Sequence, residues 1–208
     1  MGRYTGPVCR LCRQAGEKLF LKGDRCYTPK CSVERRKRPP GEHMPRRRRV
    51  SEWGTQLREK QKMRHSYGVM ERQFVRYFKE AQSKPGVTGE LLAQLLERRI
   101  DNVVYRLNFA ESRQQARQLV NHGHFTVNGR KVDIPAFIVK PGDVLAWKES
   151  SKQRDFSQSL TEGIPVRPVP QWLALDTATL TGSVIALPEG EHLETRVDTR
   201  LIVEFYSR

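Results

Sequence analysis

Apolar side chains recur at helical spacing between residues 51 and 107. Aromatic residues or leucines three and four positions apart place one apolar side on a helix and leave the other side polar. Ser51 and Thr88 are suited to begin helices, while Gly68 and Pro85-Gly86 are suited to end them. The pattern predicts helices over 51–67, over 71–82, from 88 onward and over 98–107. The aromatic side chains at 74, 77 and 78 are interpreted as core and not as a platform for stacked bases.

A short helix followed by a hairpin is predicted next. Ser112 with Gln115 three residues later forms a capping box, and Gly123 ends the helix that Ser112 begins. Asn128-Gly129 is the strongest two-residue signal for a hairpin, here between strands over 125–127 and 130–132.

Further strands are predicted towards the C-terminus. Pro141-Gly142-Asp143 forms a turn before a strand over 144–147, and residues 183–187 and 201–205 have the composition of short strands. Three prolines within 163–170 favour a linker or an edge over a helix. The expected fold class is therefore α+β.

The positive charge is concentrated in the N-terminal two-fifths of the chain. The 208 residues include 38 Lys and Arg against 23 Asp and Glu, a net charge of +15. Residues 1–84 hold 23 of these cations and 8 of the acids, so they carry the whole surplus. A polyanion is the expected partner of such a surface, and clustered Arg with little apolar patterning favours nucleic acid over an acidic membrane.

The longest apolar runs have four residues, for example 184–187, whereas a membrane span needs about 20. The first residues are charged and have no apolar segment typical of a secretory signal. We expect no membrane partner and a cytoplasmic location.

Four cysteines lie within the first 31 residues: Cys9, Cys12, Cys26 and Cys31. Two short pairs on turns, joined by a loop of 13 residues, let four thiolates converge on one metal ion. One structural zinc is the preferred cofactor, and an iron–sulfur cluster is the alternative because sulfur ligands suit both. Disulfides or unliganded thiols are a third interpretation, disfavoured because a cytoplasmic compartment keeps thiols reduced.

A basic arm follows the cysteines. Pro39-Pro40-Gly41 prevents a helix, so the arm should be extended and ordered by its partner. Arginine presents a planar fork suited to phosphate. The alternatives are a nuclear targeting patch or a solvated tail. The candidate RNA-binding residues of this N-terminal part are Arg3, Arg35, Arg36, Arg38, Arg46, Arg47, Arg48 and Arg49.

Two later segments add candidate RNA contacts. The helix over 51–67 is strongly basic, and the helix from Ser112 carries a basic stripe beside a hairpin with a basic second strand. This surface suits the phosphates and shape of folded RNA. The candidates are Arg58, Lys60, Lys62, Arg64, Arg113, Arg117, Asn121, His122, Arg130 and Lys131.

No enzyme motif is present in the sequence. It has no phosphate-binding glycine loop, and His122 and His124 are interpreted as structural histidines because no nucleophile motif stands beside them. An RNA-modifying enzyme would need more than the 58 residues after position 150. No small-molecule substrate is therefore expected.

Residues 98–147 resemble the RNA-binding module first described in ribosomal protein S-four, through 112–120, 123–124, 127–129 and 141–143. The cysteines and the segments 2–4, 39–43, 57–62 and 204–208 resemble the bacterial S-four family itself, over essentially the whole chain. Met44 and Asn108 stand where glycine is usual, and Ala136 stands where serine is usual.

This resemblance implies a primary 16S rRNA-binding protein of the small ribosomal subunit, which binds a multi-helix junction and nucleates assembly of the subunit body. It also implies a position where mRNA enters, contact with ribosomal protein S-five and other small-subunit proteins, and an influence on translational accuracy. The alternative is a zinc-ribbon RNA-binding regulator outside the ribosome, either a translational repressor or a stress RNA binder.

The resemblance also implies a domain order. A metal knot and basic arm would occupy 1–45, and a helical domain 46–97, completed by strands from about 171–208 that pack against it. The inserted RNA-binding module would occupy 98–165.

Overall fold

The computed structural model describes residues 2–36, 38–41, 50–162, 167–190 and 197–207. The chain divides into two compact units, one of Met1–Ala93 with Glu194–Arg208 and the other of Gln94–Leu193. Both helices and strands are present, so the α+β class is confirmed. Within the described residues, no helix combines the length and the apolar character that crossing a membrane requires.

The first unit begins with three short helical segments around the cysteines. Helix α1 spans Cys9–Ala15, a 3-10 helix spans Gly23–Cys26 and helix α2 spans Ser32–Arg35. Gly16 ends α1 in the left-handed conformation, with φ of 80°, and donates its N–H to the carbonyl of Cys12. Val8, Leu19 and Leu21 are buried with Cys12 in a small apolar cluster.

Three longer helices follow as the sequence predicts: α3 over Glu52–Ser66, α4 over Glu71–Gln82 and α5 over Thr88–Glu97. Ser51 caps α3, because its Oγ accepts the backbone N–H of Gly54 at 3.2 Å. Phe74, Tyr77 and Phe78 of α4 are buried, which confirms their interpretation as core side chains.

The C-terminal segment of the first unit is helix α10 over Thr199–Tyr206, so the strand predicted over 201–205 is wrong. β-branched residues favour a strand here, but the apolar side chains at 201, 202, 205 and 206 also fit one side of a helix. Asp198 caps this helix, accepting the N–H of Arg200 at 2.9 Å. Ile202 is fully buried, and Tyr206 stacks on Phe78 at 4.6 Å. A helix, not strands, therefore completes the helical unit.

The second unit combines helices with one antiparallel sheet. Helices α6 over Ile100–Arg106 and α7 over Arg113–Asn121 pack on each other. The strands are β1 over Phe125–Val127, β2 over Arg130–Val132, β3 over Val144–Trp147, β4 over Leu173–Asp176 and β5 over Thr181–Val184. Their order is β2-β1-β3-β5-β4. Two short helices, α8 over Glu149–Lys152 and α9 over Asp155–Thr161, follow β3.

The predicted hairpin is confirmed in place and register. Val127 pairs with Arg130 on either side of Asn128 and Gly129, which have φ of 49° and 77°. Positive φ at both turn positions is the geometry that matches strand twist and that Asn-Gly adopts at low cost.

Strands β4 and β5 extend this same sheet, because β5 pairs with β3. The expectation that residues from 171 onward pack as strands on the helices at 50–97 is therefore wrong for these two strands. Strand β5 covers 181–184 instead of the predicted 183–187, and β4 was not predicted. Gly182 permits close packing, since a Cβ there would lie 2.3 Å from Cδ1 of Leu107. The sheet and α6–α7 enclose a core that includes Phe109, Phe125 and Trp147.

Candidate nucleic-acid interface

The four cysteines lie close enough for their thiols to interact electrostatically. Cys12, Cys26 and Cys31 are buried and Cys9 is half-buried. Burial raises the pKa of the Cys12 and Cys26 thiols, and the neighbouring thiols raise it further. The N–H of Lys22 donates to Sγ of Cys26 at 3.4 Å, a contact that stabilises a thiolate. All-sulfur donors with such N–H contacts suit zinc. In the described ranges, however, no three or more Cys, His, Asp or Glu side chains are arranged as a metal site.

The start of the basic arm is attached to the cysteine region. Arg13 donates from Nε to the carbonyl of Arg38 at 2.9 Å and from Nη2 to that of Pro39 at 3.0 Å. The side chains of Arg35, Arg36 and Arg38 are exposed, as is that of Arg3. The predicted contacts Arg46, Arg47, Arg48 and Arg49, and the substitution Met44, lie outside the described residues.

Helix α3 exposes only one of its four predicted RNA-binding cations, Arg58. Lys60 is 4% exposed and forms an ion pair with Glu71 at 2.8 Å, with its Nζ 5.0 Å from the centre of the Phe205 ring. Its assignment to RNA does not fit this position, because burial removes the ammonium from any surface phosphate.

The other two cations of α3 are half-buried. Lys62 pairs with Glu59 at 2.6 Å and with Glu17 at 3.1 Å, and Arg64 donates to Gln61 at 2.8 Å. Both side chains therefore have ion-pair or hydrogen-bond partners within the first unit.

Helix α7 begins at Ser112 as predicted, but the capping box is only half formed, because Gln115 accepts the N–H of Glu111 and not that of Ser112. Ser112 Oγ accepts the N–H of Gln115 at 3.3 Å, and Gln115 Oε1 accepts the N–H of Glu111 at 2.8 Å. Arg113, which follows this cap, is half-buried. It donates to Asn102 Oδ1 at 2.7 Å, and its guanidinium lies 4.8 Å from the centre of the Tyr105 ring.

Arg117 is 6% exposed and lies 3.8 Å from Oδ2 of Asp101. The same carboxylate accepts two bonds from the fully buried Arg99, at 3.0 and 2.6 Å. The assignment of Arg117 to RNA does not fit this position, because its guanidinium is buried beside an acid. Helical geometry placed it beside the apolar face, but α6 covers that position and supplies a buried acid.

The end of α7 and the hairpin do present polar groups to solvent: Asn121, His122, Arg130 and Lys131 are exposed. The structural interpretation therefore fails for His122. It is confirmed for His124, whose buried ring lies 3.0 Å from Ser151 Oγ through Nδ1. Burial lowers the pKa of His124, and the positive charges of Arg154, His122 and Lys148 lower it further.

The comparisons with known proteins cover both units. The family model for the ribosomal protein S4/S9 N-terminal domain matches residues 3–97, and the model for the S4 domain matches residues 98–145. The small ribosomal subunit protein uS4 of Pelotomaculum thermopropionicum is 55% identical over 208 residues, which span both chains completely. The proteins of that name from Syntrophomonas wolfei and Thermus thermophilus are 55% and 54% identical, again over both full lengths. The chain belongs to the uS4 family. This membership confirms the resemblance drawn from the sequence motifs.

One departure from the uS4 pattern has a visible structural role. Asn108 adopts φ of 65°, a conformation that glycine takes freely and that asparagine tolerates. Its side chain accepts the N–H and Nε–H of Arg167 at 3.0 and 3.1 Å. Arg167 also donates to the carbonyl of Ala110 at 2.6 Å and lies 4.0 Å from the centre of the Tyr105 ring. Residue 167 lies in the segment that the sequence predicts to be a linker. Its hydrogen bonds instead attach it to the second unit of this uS4 protein.

Sequence reasoning missed three exposed cations on α4 of this uS4 protein: Arg72, Arg76 and Lys79. They recur at intervals of four and three residues, opposite the buried aromatic side chains. Attention to the polar side of the helix, and not only to its apolar side, would have found them. Lys148 and Arg154 in the second unit were missed because they stand in turns, where no periodicity marks them.

Proposed function

We propose that this chain is a structural, non-enzymatic protein of the small ribosomal subunit in the cytoplasm and that it binds 16S rRNA. The observation that carries this proposal is full-length identity of 54–55% to proteins named for that subunit. The exposed cations supply the chemistry, since phosphate contacts dominate the affinity of proteins for RNA. The alternative, a regulator outside the ribosome, is not favoured because the relatives match along the whole chain.

The proposed RNA contacts are a subset of the cations that the structure leaves exposed. They lie on the arm, on α3 and α4, and on the hairpin, and we assign them as Arg3, Arg35, Arg36, Arg38, Arg58, Arg72, Arg76, Lys79, Arg130 and Lys131. Arg46 to Arg49 stay a prediction. Lys60 and Arg117 are left out of this set because they are buried in ion pairs.

The direct test is filter binding of the full chain to the 5′ domain of 16S rRNA at several salt concentrations. A fragment lacking residues 1–50 loses 15 Lys and Arg. If about half of them meet phosphate, the log–log salt slope should fall by roughly five or more, at ~0.7–0.9 per contact. An unchanged slope would contradict the role of the arm. Co-sedimentation is the second test, because a ribosomal protein runs with the small subunit whereas a regulator stays in the unbound fraction.

We further propose that Cys9, Cys12, Cys26 and Cys31 hold one structural zinc, with an iron–sulfur cluster as the alternative. Sulfur ligands to such a metal would fix the short helices that little apolar core otherwise supports. Plasma emission analysis of anaerobically purified protein should find about one zinc per chain. Cys26→Ser should abolish it, whereas Ser32→Ala nearby should not. Metal-free protein whose N-terminus still resists protease would contradict this proposal.

The finer parts of the role are also proposals. We expect the chain to bind a multi-helix junction, to nucleate assembly of the subunit body, to lie where mRNA enters, and to contact ribosomal protein S-five. Footprinting of 16S rRNA by the purified chain tests the first, since protection confined to one junction is expected. Crosslinking within native subunits tests contact with mRNA and S-five, and their absence among the products would contradict these positions.

A further inference from the structure

The second unit contains a polar cavity of about 370 Å³ that none of the assignments above uses. It lies where α7 ends, where β3 ends and where α9 begins, and it has the volume of about a dozen water molecules at ~30 Å³ each. The residues that line it are His122, Gly123, His124, Lys148, Ser150, Ser151 and Arg154.

An additional cation lies beside this cavity, against Gly123. A Cβ on Gly123 would lie 2.3 Å from Cε and 3.1 Å from Nζ of Lys131, so the end of this side chain lies directly against the Gly123 backbone. Gly123 also has φ of 70°, which a larger residue adopts at a cost. Lys131, Lys148 and Arg154 thus contribute three permanent positive charges at or beside one cavity.

Acidic side chains do little to neutralise these charges. Asp133 lies 3.4 Å from Lys131, but both side chains are more than half exposed, and such pairs contribute little. Glu149, next to Lys148, is 84% exposed and pairs with Lys152 at 2.7 Å. The described residues that line the cavity include the cations Lys148 and Arg154 and no acidic side chain.

The His124 ring lines the cavity, and its Nδ1 lies 3.0 Å from Ser151 Oγ. Burial lowers the pKa of His124, and the positive charges of Arg154 and Lys148 lower it further. The negative charge of an anion bound in the cavity would favour the protonated His124 ring and so raise the pKa of His124.

We propose that this cavity binds one backbone phosphate of RNA, with Lys148 and Arg154 as its main ligands. The proposal rests on the rRNA-binding function proposed above. Arginine matches two phosphate oxygens with its planar fork, and lysine supplies a point charge. RNA is favoured over an acidic protein segment because the exposed Asn121, His122 and Arg130 lie on the same helix end and hairpin.

The first test compares three single variants of the full chain in filter binding to the 5′ domain of 16S rRNA. Lys148→Gln and Arg154→Gln should each weaken binding about tenfold, the loss expected for one charge-assisted contact. Each should also lower the log–log salt slope by about 0.7–0.9. Lys140→Gln is the matched control, since Lys140 is exposed in the same unit and away from the cavity; its effect should stay within about twofold. Equal thermal melting of the variants would show that folding is unaffected.

The second test follows the histidine ring signals of the full chain by NMR during a pH titration, with inorganic phosphate or chloride at equal ionic strength. Phosphate should raise the midpoint of His124, and Arg154→Gln should remove that shift. The midpoint of His65, in the other unit, should not respond.

The outcomes separate this inference from the proposed function. If the native chain binds the RNA but Lys148→Gln and Arg154→Gln bind like Lys140→Gln, the cavity does not hold an RNA phosphate and the wider function stands. A His124 shift with phosphate but no loss of RNA affinity would assign the cavity to small anions and overturn the inference. If the native chain fails to bind the RNA at all, the proposed function falls, and this inference falls with it.

Discussion

Among the residues that the structure describes, the two units differ in whether any of their arginines lie in the core. In the first unit, Arg58, Arg72 and Arg76 project from helices into solvent. In the second, Arg99 and Arg117 are buried around a single carboxylate, that of Asp101. These arginines of the first unit therefore lie at the surface, whereas the second unit places some of its arginines in the core and leaves others, such as Arg130 and Arg154, exposed.

The difference follows from where the acids lie. Residues 1–84 hold 8 acids for 23 cations, so the cations far outnumber the carboxylates with which they could form ion pairs. Residues 85–150 hold 7 acids for 9 cations. Two of these acids are placed inside the unit: Asp101 is 3% exposed and Glu97 is fully buried. A buried carboxylate must be paired, and the arginines of α6 and α7 are the groups within reach.

The largest expected effect is that of Arg99→Gln. Arg99 is fully buried and makes two hydrogen bonds to Asp101, so its removal leaves this buried carboxylate with Arg117 at 3.8 Å, at a cost of about 3–5 kcal/mol in unfolding free energy. Urea unfolding should show a lower midpoint for this variant. Arg58→Gln is the control and should change stability by less than about 0.5 kcal/mol. Similar urea midpoints for the two variants would contradict the claim that buried arginines stabilise the second unit while exposed arginines do not stabilise the first.

The next effect concerns the pH dependence of the first unit. Burial lowers the pKa of His65 to about 4, and the positive charges of Arg64 and Lys60 add to this against the opposing carboxylate of Glu71. The folded state disfavours the protonated His65 ring. The contribution of His65 to the unfolding free energy is therefore complete above its unfolded pKa of ~6.5 and is lost as pH falls towards 4. At 1.36 kcal/mol per unit, the loss amounts to about 3 kcal/mol.

Unfolding measured between pH 7 and pH 4 tests this, with His65→Gln as the comparison. The variant should show a smaller decrease over that window, since it removes the titrating ring. Parallel pH profiles for the two chains would show that the carboxylates account for the whole decrease.

A smaller effect is expected at Lys60, the exception to the comparison, since it is a cation of the first unit that is buried. Lys60→Met keeps an unbranched side chain but removes the ion pair with Glu71 and the ammonium that lies 5.0 Å from the centre of the Phe205 ring. The cost should be about 1–3 kcal/mol, because Glu71 still accepts the Tyr206 hydroxyl at 2.9 Å. Affinity for rRNA should stay unchanged in filter binding. If the variant bound RNA more weakly but kept native stability, Lys60 would belong with the exposed cations that we propose as RNA contacts.

Local signals predicted much of this fold. Ser51 and Ser112 bond to the backbone three residues later, and Asn128-Gly129 forms a two-residue turn. Because these contacts are local, the helix starts and the hairpin could be predicted from the sequence. The C-terminal helix could not, since Ile202 and Val203 favour a strand and the packing of Tyr206 on Phe78 decides the outcome. Contacts between distant parts of the chain override local preference there.

The candidate site shows the same limit. A stripe at helical spacing identified Arg113 and Arg117 as neighbours of the apolar face, which is correct. That Arg117 is buried while Arg113 is half-buried depends on Asp101, and no spacing rule brings that residue of α6 against α7. The cavity at His124 is likewise formed by two segments that are distant in sequence, 122–124 and 148–154, and no local pattern predicts that they lie together.

The most direct test of the central claim combines Arg58→Gln, Arg72→Gln and Arg76→Gln in one chain and measures its rRNA affinity across salt concentrations. Three exposed phosphate contacts should lower the log–log slope by roughly 2–3, at ~0.7–0.9 per contact. The urea midpoint should stay that of the native chain. An unchanged slope, or a loss of stability in place of a loss of affinity, would contradict the division of the cations between RNA and core.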